Sequence, residues 1–266
     1  MAGKKWRGFA DFQTPENQNE AIMTVCPGNP DQEGSRFNAI MEAAGRQLTR
    51  LFIIQAGDLG FHNLKRFNPK SEAAMFARIR GERWQEIHQP TINKHMSGRC
   101  EVIPMANIIS DTSFPERVAL IKDIYERGNN SVTDWFNDSA NYNNPARMKR
   151  MQEKGGSVEE WALRSDSLDY LCDEYAMRSL MWKRFSLEEI YLGRAVNQHD
   201  FFQRENTERP EIDLTIPKVL PITIHSVQMK HDKRIGRAVP VSESPPIPDY
   251  ARNIIEAGQG PKKALG

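Results

Sequence analysis

Two short, uninterrupted apolar runs, Ala21–Cys26 (AIMTVC) and Leu51–Ala56 (LFIIQA), constrain this chain more than any other feature. Each has the length of a strand, and each is apolar on both faces, as a strand is only when both faces are covered. Between them, the turn-rich stretch Pro27-Gly28-Asn29-Pro30-Asp31 leads into apolar residues at helical spacing: Phe37, Ile40, Met41, Ala44 and Leu48. A strand, a crossover helix and a second strand are the repeating unit of an α/β fold with a mostly parallel central sheet flanked by helices.

The rest of the chain extends that pattern. Ser71-Glu72 opens a long helical segment to about Met96, after a break at Asn68-Pro69. Glu101–Met105 (EVIPM) reads as a third strand, Pro115 stands near the start of a helix through Arg127, and Asp134–Lys154 reads as helical with an interruption near Pro145. Gly155-Gly156 breaks it. Ser157 with Glu160 has capping-box spacing, opening a helix through Tyr170 and Glu174 to about Trp182. Ser186 and Glu189 repeat that spacing. Ile222–Val227 (ITIHSV) is a late strand. Residues 1–20 read as a loose polar arm, 21–239 as one domain, and 240–266 as a mobile Pro/Gly-rich tail.

Hydrophobic residues make up 39% of the 266, enough for a sizeable core. The net charge is +1, so a nucleic-acid partner would require a local basic patch. One exists. From His62 to Arg99, Lys65, Arg66, Lys70, Arg78, Arg80, Arg83, Lys94 and Arg99 face only Glu72, Glu82 and Glu86. The alternative is a solvated helix face. The three cysteines lack CxxC spacing and the six histidines form no HExxH pair, so neither a disulfide framework nor a metal site is expected. With no apolar run of membrane-spanning length and no signal-like start, a cytoplasmic protein is expected.

Two places could carry chemistry. Cys26 ends the first strand at a glycine-containing turn, and in open α/β sheets ligands bind beyond the carboxyl ends of the strands. A helix N-terminus nearby would favour the reactive thiolate. The plain alternative is an ordinary buried thiol. Tyr170 and Glu174, four residues apart, share a helix face and together could hold an ammonium or move a proton. Their plain alternative is a solvated edge.

Taken in order, these residues resemble the cyclodipeptide synthase family. Val25-Cys26-Pro27-Gly28-Asn29 is similar to the family's strand-end nucleophile followed by a small residue, Gly and Asn, and Gln32-Glu33-Gly34 resembles the stretch before its first helix. Gly57-Asp58-Leu59-Gly60-Phe61-His62-Asn63 looks like its loop after the second strand, and Tyr170-Leu171-Cys172-Asp173-Glu174 like its Tyr-x-x-x-Glu helix. The resemblance covers roughly residues 21–195. There are three departures: the nucleophile is cysteine where the family has serine, Ala176 stands where Pro is common, and the candidate second tyrosine, Tyr191, precedes Leu192 and sits behind a helix-start signal. Together they suggest a divergent branch, such as the fungal group that uses arginine.

The resemblance implies a Rossmann-like domain akin to the catalytic domain of class I aminoacyl-tRNA synthetases. It also implies a ping-pong synthesis of a diketopiperazine from two aminoacyl-tRNAs, without a cofactor. Cys26, Tyr170, Glu174 and Tyr191 would be catalytic. Gly28, Asn29, Asp58, His62 and Asn63 would bind substrate, the N–H groups of Gly28 and Asn29 offering oxyanion stabilisation. Lys65, Arg66, Arg78, Arg80 and Arg83 would contact tRNA. Asp58, Asp173, Glu188 or Glu189 could receive an arginine side chain. Downstream tailoring enzymes are possible partners. Three alternatives stay open: a class I synthetase-like protein, faintly echoed by Lys94-His95-Met96-Ser97-Gly98-Arg99; a cysteine-dependent acyltransferase or hydrolase using His62; and a non-catalytic RNA-binding module.

Overall fold

In the computed structural model, residues 5–13, 15, 19–29, 32–65, 68–153, 160–191, 198–209, 213–232 and 237–240 are described. In chain order the elements are β1 (Lys5–Phe12), β2 (Glu20–Val25), α1 (Gly34–Gln47), β3 (Arg50–Gln55), α2 (Phe61–Leu64), α3 (Lys70–Met96), β4 (Cys100–Pro104), α4 (Ala106–Ile109), α5 (Phe114–Arg127), α6 (Ser131–Glu153), α7 (Glu160–Phe185), β5 (Glu189–Tyr191), α8 (Gln198–Glu208), β6 (Val219–Asp232) and β7 (Arg237–Pro240). The strands lie in the order β1-β6-β5-β2-β3-β4, with β7 paired to β6. The five from β6 to β4 are parallel, whereas β1 and β7 are antiparallel to β6. The expected parallel α/β sheet is therefore present.

Its core follows from strand alternation. Ala21, Met23 and Val25 of β2, with Leu51 and Ile53 of β3, pack on Phe37, Ile40, Met41 and Ala44 of α1 and on Trp84, Ile92 and Met96 of α3. The opposite faces of the same strands, through Ile22, Phe52 and Ile54, pack on Met177, Leu180 and Met181 of α7. Each fully buried aliphatic side chain contributes roughly 1.5–3 kcal/mol. A second core joins α5, α6, α7 and α8 through Ile121, Ile124, Phe136, Tyr175 and Phe202. Helix α7 thus meets the sheet on one side and three helices on the other. The polar residues it keeps inside, Ser167, Glu174, Arg178 and Ser179, therefore call for partners.

Several expectations change here. Lys5–Phe12 is no loose arm but a strand whose whole length pairs with β6, Lys5 opposite Met229 and Phe12 opposite Ile222. Helix α6 continues through Pro145. Ser186 and Glu189 do not start a helix. Glu189–Tyr191 is a three-residue strand held between β2 and β6, pairing Ile22 with Glu189 and Glu189 with Val219. It is too short to show a period-two pattern, so only its neighbours define it. Ser157, Leu192 and residues 241–266 lie outside the described residues.

Candidate active site

The order of the strands locates the site. From β2 the chain moves outward through β3 to β4, then returns to the other side of β2 as β5 and β6. That reversal makes a topological switch point between β2 and β5, and open α/β sheets bind ligands beyond the carboxyl ends of their strands at such a point. Cys26 follows the last residue of β2, and Tyr191 is the last residue of β5.

Strand alternation then selects the face. Cys26 follows Ile22 and Thr24 at period two, toward α7. Helix α7 runs past these strands and meets them rung by rung, one turn apart. The Thr24 hydroxyl lies 3.9 Å from the Met181 sulfur. Arg178 Nε donates to Glu189 Oε2 at 2.8 Å. The Tyr191 hydroxyl donates to the Glu174 carboxylate. At the switch point, Cys26 Sγ and Tyr170 Oη are 3.6 Å apart. Spacings of three and four residues along α7 place all four of its side chains on one stripe.

The loop after β2 is fixed by its own bonds. Cys26 N–H donates to Gln32 Oε1 at 2.6 Å, and Gln32 Nε2 donates to the Thr24 carbonyl at 3.0 Å. The buried Gln32 amide therefore clamps both sides of the strand end. Gly28 has φ +87°, a left-handed backbone that glycine adopts without the strain of a side chain, and the Arg80 guanidinium from α3 lies beside it. The N–H groups expected to face an oxyanion are already engaged: Gly28 N–H donates to Glu33 Oε1 at 2.9 Å and Asn29 N–H to the Cys26 carbonyl at 3.0 Å.

Burial, then the neighbouring Glu174, push the Cys26 thiol up to about 12, against the hydrogen bond with Tyr170. The resting group is a neutral thiol, not the thiolate expected of a strand-end cysteine near a helix start. Tyr170 is raised well above an ordinary phenol by burial and by Cys26 and Glu174, and Tyr191 is raised by Glu174 and then by burial. Burial lifts the Glu174 carboxyl to about 7; Arg178 opposes the rise, Glu189 adds to it, and the Tyr191 hydrogen bond opposes it. Glu174 is thus poised to exchange a proton near neutrality, which suits acid–base work.

The remaining expected residues divide. His62, buried, places Nε2 2.7 Å from Asp173 Oδ2 and its ring edge-on to Tyr170 at 6.2 Å. It stands behind the tyrosine. Asp58 opens the turn after β3 and is half-buried; burial raises its carboxyl, while a hydrogen bond with the Ala106 backbone and the charge of Arg78 oppose the rise. Asn63 is exposed on α2. Lys65 is committed to Asp166 at 2.8 Å and Asp169 at 3.7 Å. Arg66 lies outside the described residues. Arg78, Arg80 and Arg83 are exposed on α3, with Arg78 3.3 Å from Glu82. Of the four acids considered for an arginine side chain, Glu189 pairs with Arg178, Asp173 with His62, and Glu188 with Lys218 at 3.7 Å. From the sequence, Gln32 is marked only within the stretch before α1, and neither Thr24 nor Arg178 is singled out. Arg178 carried a signal, since it follows Glu174 by one turn. Among the described residues, no cluster of His, Cys, Asp and Glu could hold a metal, and no helix is long and apolar enough to cross a membrane.

The architecture belongs to the Rossmann-like α/β class. No family model and no curated protein matches the sequence, but solved structures do match its fold. A cyclodipeptide synthase from Fluoribacter dumoffii aligns with 84% of this chain and 100% of its own, at TM-score 0.66 and 14% identity. One from Bacillus thermoamylovorans aligns with 83% and 96%, at TM-score 0.58 and 11% identity. A Mycobacterium tuberculosis protein aligns with 84% and 94%, at TM-score 0.50 and 14% identity; its structure demonstrates that cyclodipeptide synthetases are related to type I tRNA synthetases. The fold of this chain is the cyclodipeptide synthase fold.

Proposed function

We propose that this chain is a cyclodipeptide synthase that joins two amino acids, delivered as aminoacyl-tRNAs, into a diketopiperazine. The observation that carries this reading is the meeting of Cys26, Tyr170, Glu174 and Tyr191 at the switch-point crevice, inside that fold. Charge supports it. With Glu174 ionised, the buried centre holds two carboxylates, Glu174 and Glu189, and one guanidinium, Arg178. One positive charge is missing, and an α-ammonium supplies it.

In this reading the Cys26 sulfur attacks the ester carbonyl of the first aminoacyl-tRNA. The C–S bond forms, the C–O bond to the tRNA breaks, and the thiol proton leaves with the tRNA hydroxyl. Covalent capture divides one difficult coupling into two transfers. Tyr170 and Glu174 hold the α-ammonium of the thioester. Glu174 then accepts its proton as the amine attacks the ester carbonyl of the second aminoacyl-tRNA; the C–N bond forms, the C–O bond to the second tRNA breaks, and that tRNA leaves with the proton on its hydroxyl, while Tyr191 keeps the carboxylate in place. The dipeptidyl thioester cyclises when its own free amine attacks it and releases the thiol. Arg78, Arg80 and Arg83 on α3 provide phosphate contacts at the rim. The reaction requires no cofactor, and the soluble substrates suit a cytoplasmic enzyme feeding tailoring reactions. Of the four acids considered for arginine as one of the joined residues, Asp58 is left by elimination. It lies beyond the carboxyl end of β3, next to β2.

Mass spectrometry of medium from cells expressing the chain tests this reading. A cyclic dipeptide is expected, lost in Cys26→Ala, and an arginine-containing product should fall in Asp58→Asn. Soluble, folded protein without any diketopiperazine contradicts the reading. Amino-acid-dependent pyrophosphate exchange with ATP would support a synthetase instead.

A further inference from the structure

The rung beneath Glu174 has no assigned role in the chemistry above. Arg178 and Glu189 have side chains fully removed from solvent and are 2.8 Å apart. The Thr24 hydroxyl donates to the second Glu189 oxygen at 2.5 Å. The Arg178 guanidinium carbon lies 5.2 Å from the ring centre of Tyr175 and 5.1 Å from that of Tyr191. A buried ion pair adds little stability over well-packed apolar residues, and its place here would suit Leu and Met as Leu180 and Met181 suit the next turn. Its position, one turn from Glu174 and against the ring that holds Glu174, points to a different service.

We propose that Arg178 and Glu189 are positioning residues for Glu174: Arg178 supplies the fixed positive charge that keeps the Glu174 carboxylate available in the crevice, and Glu189 offsets part of that charge so that the carboxylate can still take up a proton. Three links of the geometry carry this. Arg178 shares the inward stripe of α7 with Glu174. Glu189 and Tyr191 share one face of β5, so the strand that anchors Arg178 also aims the Tyr191 hydroxyl at Glu174. Thr24 takes up the other Glu189 oxygen, which holds the guanidinium in a single place.

The groups facing Glu174 are Cys26 from the end of β2, Tyr170, Tyr175 and Arg178 from α7, and Glu189 and Tyr191 from β5. The phenols and the thiol are neutral near pH 7, since burial raises all of them. Among the described residues, Arg178 and Glu189 then act on Glu174 as full charges of opposite sign, and the pull of Arg178 outweighs the push of Glu189.

The proposal depends on the Tyr170–Glu174 reading of the site, and its test does not require turnover. The carboxyl carbon of Glu174 can be followed by NMR in the full chain labelled at glutamate, the signal being assigned by its absence in Glu174→Gln. The midpoint should lie near 7 in the parent chain. It should fall by about one pH unit in Glu189→Gln, where Arg178 acts unopposed. It should rise in the double variant Arg178→Met/Glu189→Gln, which leaves no unpaired buried charge and so keeps the fold, and should stay near the parent value in Arg178→Lys. The acidic limb of the pH–rate profile for dipeptide formation from a pool of charged tRNA should move in the same directions. Folded variants whose Glu174 midpoint does not move, or moves the same way in Glu189→Gln and in the double variant, would overturn the proposal. Shifts as expected in a chain that forms no diketopiperazine would uphold the tuning and remove the synthase reading.

Discussion

The two faces of β2 obey opposite rules. On one, Ala21, Met23 and Val25 meet α1 and α3 in an apolar core that includes Phe37, Ile40 and Trp84. On the other, Ile22 is followed by Thr24 and Cys26, and α7 answers with Arg178, Glu174 and Tyr170. The first face gains by excluding water from apolar surface and has no charge to place. The second buries titratable groups, and burial raises Cys26, Tyr170 and Glu174 above their ordinary ranges. A single strand thus carries stability on its odd residues and chemistry on its even ones, and changes on the two faces should have separable consequences.

The sharpest separation comes from Cys26→Ala. Loss of the nucleophile should lower dipeptide formation by at least about a thousandfold, with the thermal midpoint of unfolding almost unchanged. Cys26→Ser, which restores a hydroxyl, should retain measurable product. Equal loss in both variants would remove the covalent role from this position. On the opposite face, Phe37→Ala deletes a ring packed edge-on to Trp84 at 5.1 Å. It should cost about 3–5 kcal/mol in denaturant unfolding while leaving turnover per folded molecule intact. A large kcat change in that variant would break the division between faces.

Glu174→Gln should combine both readouts with opposite signs. Turnover should drop about a hundredfold, as for a lost acid–base group. Stability should rise, and the sign follows from linkage. Burial lifts the folded carboxyl to about 7, from about 4.5 for a free glutamate, so the folded state binds the proton more tightly. Its contribution is therefore greatest at low pH, declines as pH climbs from 4.5 toward 7, and is an uncompensated penalty above that. At pH 8 the glutamine variant should be more stable by on the order of 1–3 kcal/mol, and at pH 4 the gain should vanish. Diketopiperazine formation by the parent chain should fall as pH drops below about 7. The smallest effect is expected from Arg83→Ala on the exposed face of α3. It should weaken tRNA binding modestly and reduce the logarithmic salt slope by roughly 0.7–0.9 for one lost phosphate contact; an unchanged slope would take Arg83 out of the tRNA surface.

Much of the frame was legible in the residues. The uniform runs at 21–26 and 51–56 defined buried parallel strands because continuous apolarity admits few other uses, and the four-residue step from Tyr170 to Glu174 defined a shared helix face. The less legible parts share a cause: they depend on partners distant in sequence. The strand Glu189–Tyr191 is three residues long, and Ser186 three residues before Glu189 imitates a helix start; pairing to β2 and β6 decides its state. Lys5–Phe12 alternates too weakly to announce a strand and is made one by β6. A raised thiol at Cys26 could not be read from a strand end, because it arises from burial under α7. Gln32 reads as a loop glutamine until its amide is seen bridging Thr24 and Cys26. Arg178, one turn after Glu174, could have been anticipated as a counter-charge, although its partner Glu189 could not.

The most direct measurement is the intact mass of the protein quenched after mixing with a charged tRNA pool. A gain equal to an aminoacyl group is expected, labile to hydroxylamine as a thioester is, mapped to Cys26 and missing from Cys26→Ala. A chain that releases diketopiperazine while Cys26 stays unmodified, or that carries the adduct on another residue, would contradict the account.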